Sequence, residues 1–466
     1  MKILLINPLI KNDGVFTEGM DVNLGLYSLK EVAVSQGHSV KVVNTNKYSA
    51  VDKVREHEPD IVGITCMSPQ FPAAVRIAEK AKCFDENITT VVGGYYPTLC
   101  VERFEKEELP FDHVFVGEAE RSWERFLERV EEGKENPFIV ESIPFDIGEY
   151  PIPYKREGKQ LILQASRGCP YDCRFCTIKS FYGRRFKNRD VERIIDLVRE
   201  KSEDGVDTVH FTDDSMFTDR EFARKLFEGF EEMDADLSII LMARLDDFLE
   251  STELVGLMER AGVARVGIGV QNFDEDVLKN YNVHFGMDQV NRFLSYIKEY
   301  EGPMIFSFFY ILDPRIKGQF GGFNDYIREN FPEEDYDSIR ITLFCLSPYP
   351  GSEIADEFPE REVDYRYNNF FYYYEKGFDG ILDRFTGSRK LLREKNLTIS
   401  GRMYNFLNHV PGFFFLFYFL DTITCSFPLR VRLKMLKKLL MINIKYLRSD
   451  FIKKDLVYRH SIKEFF

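Results

Sequence analysis

The chain has 466 residues, 44% of them hydrophobic, enough for two or three domains with cores of their own. A formal net charge of -14 leaves no global positive field to draw in phosphates, so nucleic acid is not an expected partner. Eight cysteines, three of them crowded between positions 169 and 176, suit a metal site in a reducing cytoplasm better than a disulfide scaffold.

The start, Met1 to Asn7, is a short apolar run that stops at Pro8 without the long apolar region of a signal peptide, and it reads as a buried strand. Further strands are predicted at 39–43, 60–66, 89–94 and 112–116, with amphipathic stretches between them. Five βα units over residues 1–135 predict an α/β fold, a doubly wound, Rossmann-like parallel sheet. Ligands of such sheets lie at the carboxyl ends of the strands, where this sequence has Asn7-Pro8, Thr65 to Ser68, Gly93-Gly94 and Gly117-Glu118. Gly93, Gly94, Gly117 and Glu118 are therefore candidate contacts for a bulky cofactor.

Residues 136–160 carry four prolines and little periodicity and are expected as a linker. A second series follows, with strands predicted at 161–166, 208–212, 237–243, 265–270, 304–312 and 338–346 and helices at 191–201 and 220–232. Six such units over 161–350 predict a partial (β/α)6 barrel of the TIM type. From 351 to 466 the strand signal disappears, and a helical, aromatic-rich C-terminal domain is expected. Its longest apolar run, Phe413 to Leu420, is less than half of the roughly 20 residues that span a bilayer, so no transmembrane segment is predicted. No internal repeat or low-complexity tract is found.

Ser166-Arg167-Gly168-Cys169-Pro170-Tyr171-Asp172-Cys173-Arg174-Phe175-Cys176 places three thiols at CxxxCxxC spacing directly after a predicted barrel strand. Three thiolates can bind three irons of a four-iron cluster and leave the fourth open to a chelating amine and carboxylate. Zinc and plain buried thiols are the competing readings. Structural zinc wants four protein ligands, and the closest histidines are His113 and His210.

With this triplet the chain resembles the cobalamin (B12)-binding-domain subclass of the radical S-adenosylmethionine (SAM) superfamily, over roughly residues 1–355. The resemblance implies a 4Fe-4S cluster on Cys169, Cys173 and Cys176. It implies SAM contacts from Asp213 and Asp214, in Thr212-Asp213-Asp214, where the family has its Gly-Gly-Glu strand end, and from Arg244, which matches the position that contacts the SAM carboxylate. Val266 to Asn272 resembles the glycine-rich fourth strand that contacts the ribose. That strand usually ends in Glu-Ser, whereas this chain has Gln271-Asn272, so the charge is missing. Ser347 to Ser352 matches the turn after the sixth strand. An electron donor such as flavodoxin or ferredoxin is the implied redox partner.

Pro59 to Thr65, Val91 to Gly94 and Val116 to Glu120 resemble the cobalamin domains ahead of such barrels, which makes cobalamin the expected ligand of Gly93, Gly94, Gly117 and Glu118. The Asp-x-His-x-x-Gly signature is absent, and the loop at 44–50, after the second strand, has no histidine to offer cobalt. A repurposed βα domain is the alternative.

The resemblance implies a radical methyltransferase: the cluster reduces SAM to a 5′-deoxyadenosyl radical, and methylcobalamin supplies the methyl group. Radical cyclisation, carbon–carbon coupling or rearrangement is the alternative within enzymes, and a non-catalytic cobalamin or redox sensor the alternative outside them. Cys66, Cys83, Cys100, Cys345 and Cys425 are scattered and read as ordinary buried thiols, His210 as a core histidine, and the aromatic run 365–378 as core or as the lining of an apolar cavity. After Phe413 to Leu420, cations from Arg430 to Arg448 alternate with Leu, Met and Ile, as in an amphipathic helix at an anionic membrane or a solvated basic face. The expected substrate is a small molecule or a lipid, and the expected location is the cytoplasm, with peripheral association at the inner membrane surface.

Overall fold

The computed structural model describes residues 1–9, 22–45, 49–313, 316, 319–331, 338–346, 348–357 and 398–399. The N-terminal sheet consists of β1 (Lys2–Pro8), β2 (Ser39–Thr45), β3 (Ile61–Thr65), β4 (Thr89–Gly93), β5 (His113–Val116) and β6 (Ile139–Glu141). All pair in parallel, in the order β2-β1-β3-β4-β5-β6. β1 shows why the sheet is covered on both faces. Leu4 and Ile6 point into one apolar core, with Ala74, Ile77 and Ala81 of the helix Phe71–Phe84, while Ile3 and Leu5 point into another. Helices α1 (Leu24–Ser35) and α2 (Glu120–Glu131) build that second core, with Leu26, Val32, Trp123 and Phe126. A strand buried on both faces reads as a continuous apolar run, which is what Lys2–Pro8 shows.

The expected linker does more than connect. Its residues 139–141 form β6, the sixth strand of the first sheet, and β7 (Tyr154–Glu157) opens the second sheet, pairing antiparallel with β8 (Gln160–Leu163). Two short strands follow, β9 (Ser166–Gly168) and β10 (Phe186–Asn188), which among the described residues pair only with each other. The second sheet continues in parallel through β11 (Thr208–Phe211), β12 (Ser238–Arg244), β13 (Val263–Gln271), β14 (Ile305–Leu312) and β15 (Ile339–Cys345). It ends on β16 (Thr398–Ile399), a two-residue strand in a stretch where only helix was expected. The order β16-β15-β14-β13-β12-β11-β8-β7 is open: its two edges do not pair among the described residues, so the sheet is a partial barrel. Two of its helices are capped by aspartates. Asp219 accepts from the Phe222 N–H at 3.0 Å at the head of Arg220–Glu232, and Asp190 from the Arg193 N–H at 3.0 Å at the head of Val191–Glu203.

Apart from β16 and the turn at 348–357, the C-terminal region lies outside the described residues. The aromatic run 365–378, Phe413 to Leu420 and the cations 430–448 all fall there. No helix among the described residues is long and apolar enough to cross a membrane.

Candidate functional site

The antiparallel β9–β10 ladder pairs Gly168 with Phe186 and Arg167 with Lys187, so residues 169–185, with all three predicted cluster cysteines, form a loop closed at its neck. Gly168 has φ +87°, and a Cβ there would be driven into the Arg185 carbonyl oxygen, so only glycine suits the neck. Inside the loop the Cys176 N–H donates to the Cys173 carbonyl at 3.1 Å, and the Ile178 N–H donates to Cys176 Sγ at 3.5 Å. Burial pushes the Cys169 thiol up to about 11 and Cys176 up to about 12, and it raises Cys173 as well. A cationic metal partner is what offsets such desolvation of a thiolate. Among the described residues no three Cys, His, Asp or Glu side chains converge as for a single ion, an arrangement that a cluster taking one thiolate per iron does not need. The turn after β15 braces the loop from outside: Ser180 Oγ donates to the Gly351 carbonyl at 2.5 Å, and Lys179 pairs with Glu353.

The carboxyl ends of β11, β12 and β13 stand beside the loop. Thr212-Asp213-Asp214 follows β11, but the two carboxylates have different surroundings. Asp213 is 2% exposed and accepts from the Ala165 N–H at 3.1 Å, from the Ser166 N–H, and from Ser166 Oγ at 2.5 Å. Its carboxyl, raised by burial to about 6, anchors the chain where it enters β9. Asp214 accepts from the Gly168 N–H, and burial together with the Asp213 charge raises it to about 7. Of the pair, Asp214 is the one whose carboxylate senses Cys169 and Cys176.

Arg244, at the end of β12, lies with its guanidinium 3.5 Å over the Tyr171 ring and donates from Nη1 to Cys173 Sγ at 3.5 Å. Nη2 donates to Asp246 at 2.8 Å and to the Val283 carbonyl at 2.7 Å. Burial opposes its charge, but Asp246 holds it above the ordinary arginine value. Tyr171 is itself held, donating to Asp247 at 2.5 Å, whose other oxygen accepts from Ser215 at 3.0 Å. Gln271 sits at an irregularity in the β13–β14 register with φ 69°, and its side chain folds back over Gly269. Asn272 belongs to the core instead: it is 0% exposed, donates to the Ile311 carbonyl at 3.0 Å and accepts from Tyr310 at 3.3 Å. His210, half-buried on β11, pairs in register with Ile162 and Ile240.

At the carboxyl ends of β1, β3, β4 and β5 lies a cavity of about 180 Å3. Gly93, Gly94, Gly117 and Glu118 all line it, with Thr65, Gly25 and Leu29 of α1, Trp123 of α2, and Arg167, Phe181 and Tyr182 of the cysteine segment. Gly94 has φ +104°, and a Cβ there would press on the Cys66 carbonyl and Thr65 Oγ1 at 3.2 Å. Among the described residues, Asn23, Gly25 and Leu26, after β1, form part of the wall. The lining residues include no histidine, and neither does the sequence from 9 to 23. Glu118 has a further partner: Arg167 bridges it at 3.0 Å and Glu120 at 2.9 Å, and Ser28 donates to Glu120 at 2.9 Å. Across the same junction Tyr95 stacks on Phe181 with centroids 4.4 Å apart. Of the scattered cysteines, Cys66 is buried and Cys100 half-buried, but Cys83 is exposed, contrary to expectation.

A family model for the B12 binding domain matches residues 18–127, and one for the radical SAM superfamily matches residues 163–316. The chain belongs to the radical SAM superfamily, in the subclass with a B12-binding domain. It is 26% identical over 374 residues to the bacteriochlorophyllide d C-12(1)-methyltransferase of Chlorobaculum tepidum, covering 74% of this chain and 76% of the relative. It is 24% identical over 447 residues to the cytidylyl-2-hydroxyethylphosphonate methyltransferase of Streptomyces wedmorensis, covering 76% and 81%. Its fold matches that of the radical SAM methyltransferase TsrM from Kitasatospora setae, solved with cobalamin and a [4Fe-4S] cluster, with a TM-score of 0.60, 15% identity and 78% of each chain covered.

As a radical SAM enzyme the protein uses a 4Fe-4S cluster and SAM, and its B12-binding domain adds cobalamin. The residues present fit these groups. Three thiols gather in one loop beside a buried Arg244 Nε and a buried Asp246 Oδ1 that lack a protein partner, so polar capacity is left over next to Cys173. The cavity, backed by Gly94, is small for a whole corrin and is of a size that would admit one arm of such a cofactor. Reasoning from sequence missed Arg167, Tyr171 and Asp247. Both Arg167 and Tyr171 lie inside the cysteine motif, but their partners are between 47 and 76 residues distant, and no local spacing betrays them.

Proposed function

We propose that the protein is a cobalamin-dependent radical SAM methyltransferase that acts on an unactivated carbon of a small, hydrophobic or lipid molecule. The observation that carries this reading is the meeting of the Gly93-Gly94 cavity with the cysteine segment through Arg167. When bound, the cluster and SAM supply a hydrogen-abstracting radical and the corrin supplies a methyl group. Cys169, Cys173 and Cys176 would hold the cluster. Asp214 would accept from the SAM amino group, Arg244 would fork onto its carboxylate, and Gln271 would hydrogen-bond a ribose hydroxyl. Asp213 would keep Ser166, and with it the neck of the loop, in place. Gly93, Gly94 and Gly117 would let the corrin's arms approach the backbone, while Glu118 orients Arg167.

Electrons would come from a small redox protein such as flavodoxin or ferredoxin, in the cytoplasm. The tail, with its apolar run and cations, supports association with the inner membrane surface and a hydrophobic substrate. The test is product analysis with deuteromethyl-labelled SAM and an anaerobic small-molecule extract. Methyl transfer releases S-adenosylhomocysteine together with 5′-deoxyadenosine and labels a product. 5′-Deoxyadenosine without S-adenosylhomocysteine or label would instead indicate cyclisation, coupling or rearrangement.

A further inference from the structure

The ion pairs that join the cavity wall to the cysteine segment are buried: the side chains of Arg167, Glu118 and Glu120 are 8%, 14% and 6% exposed. Burial opposes the Arg167 charge, yet Glu120 and Glu118 hold it above the ordinary arginine value, and Arg167 in turn holds Glu120 below the carboxylate range against its own burial. Taking such charges out of water is costly, and an apolar contact of the same volume would bind two surfaces as firmly. What a guanidinium reaching two carboxylates adds is direction, because its donors are fixed in a plane and cannot slide as apolar side chains do.

The geometry gives that direction a use. Only Gly168 separates Arg167 from Cys169, and Gly168 is locked at the neck of the loop. Glu118 and Glu120 follow Gly117 at the cavity wall, and Ser28 of α1 ties Glu120 to the helix that forms another wall. The Arg167 charge also acts on Asp214, which flanks the cysteines. Its Nε donates to Gln164 at 3.2 Å, so the guanidinium is also held from the link between β8 and β9.

We propose that Arg167 is a positioning residue: through Glu118 and Glu120 it sets the distance and orientation between the corrin at the cavity and the cluster on the cysteine segment. The proposal rests on the methyltransferase reading for its purpose, but the spacing can be measured without any methyl transfer. Arg167→Met alone leaves two buried carboxylates uncompensated and is expected to fold poorly. The working variants are therefore Arg167→Lys, which keeps the charge and loses the fork, and the neutral triple E118Q/E120Q/R167M.

The experiment uses holoprotein loaded with cluster and cob(II)alamin and measures iron, corrin, reductive SAM cleavage to 5′-deoxyadenosine, and the dipolar interaction between the reduced cluster and cob(II)alamin by pulsed electron paramagnetic resonance. Both variants should keep iron and reductive SAM cleavage, and Arg167→Lys, which leaves Glu118 in place, should keep corrin as well. Their interspin distance should shift or its distribution broaden by about 1 Å or more, the scale at which misplaced reacting groups lose roughly 100-fold in rate. An unchanged distance distribution in both variants overturns the proposal, and so does joint loss of iron and corrin in both, which would make the cluster of charges merely structural. A wild type that takes up no corrin defeats the methyltransferase reading first and the proposal with it. A wild type with both spins at a defined distance but no S-adenosylhomocysteine among its products defeats only the former.

Discussion

Asp213→Ala separates a carboxylate that builds the site from one that binds ligand. The substitution strips the acceptor from two backbone N–H groups and one hydroxyl, all buried. At about 1.5–2 kcal/mol for each donor left bonded to nothing, the loss is about 5 kcal/mol. Against this stands the cost of the buried carboxylate itself: its pKa rises from 3.8 to about 6 on folding, equivalent to about 3 kcal/mol at neutral pH. The net destabilisation is about 2 kcal/mol, or a fall in Tm of about 4–8 °C for a domain of this size.

The sign with pH follows from the same shift. Because the folded state holds this proton more tightly than the unfolded state, the stability contributed by protonated Asp213 is full below 3.8 and is lost as pH rises through about 6. The substitution should therefore cost more at about pH 5.5 than at about pH 7.5. Thermal melts of anaerobic protein with iron determination are the assay. Asp213→Ala should lower both Tm and iron, whereas Asp214→Ala should keep the iron and raise the KM for SAM by about 10–100-fold, as loss of an orienting partner does. An Asp213→Ala protein with wild-type Tm and iron but weakened SAM binding would refute the reasoning and return the SAM contact to Asp213.

Gly168→Ala should open the neck of the cysteine loop, since its Cβ would collide with the Arg185 carbonyl at φ +87°; iron content should drop while the N-terminal domain still binds corrin, and unchanged iron would contradict the assigned strain. His38 is 6% exposed, and burial holds it below its usual 6.5, so the stability carried by its neutral form should be lost as pH falls below about 6.5; denaturant melts of His38→Gln should lack that loss relative to wild type. The cations at Lys434, Lys437 and Lys438 should each add on the order of 1 kcal/mol of attraction to an anionic bilayer. In liposome sedimentation the intact protein should pellet with anionic and not with neutral vesicles at low salt, and charge-neutral substitutions should reduce pelleting. Equal pelleting with both would leave only a solvated basic face.

The strands that were legible in the sequence are those buried on both faces. Lys2–Pro8 and Ile61–Thr65 are apolar runs with no competing periodicity, and Arg220–Glu232 carries its own cap at Asp219. What escaped were elements too short to show a period: β6, three residues after Pro137, and the β9–β10 ladder, which exists only because residues 18 or more positions apart pair across the loop. The cysteine spacing was legible because cluster chemistry fixes it locally. The division of labour between Asp213 and Asp214 was not, because it depends on which way adjacent side chains turn at a strand end. Likewise the candidate glycines line one cavity, but the segments that wall it were not legible. Parallel strands bring the segment after β1 to the wall at Gly94, and only the strand order β2-β1-β3 reveals this.

The central claim is that Cys169, Cys173 and Cys176 hold a cluster that cleaves SAM. The measurement that tests it most directly is 5′-deoxyadenosine formation by anaerobically reconstituted protein under a strong reductant, beside the variant with all three cysteines replaced by Ala. The wild type should bind about four irons per chain and release 5′-deoxyadenosine, and the variant should do neither. Cleavage by the variant, or none by a wild-type protein loaded with iron, would contradict the account.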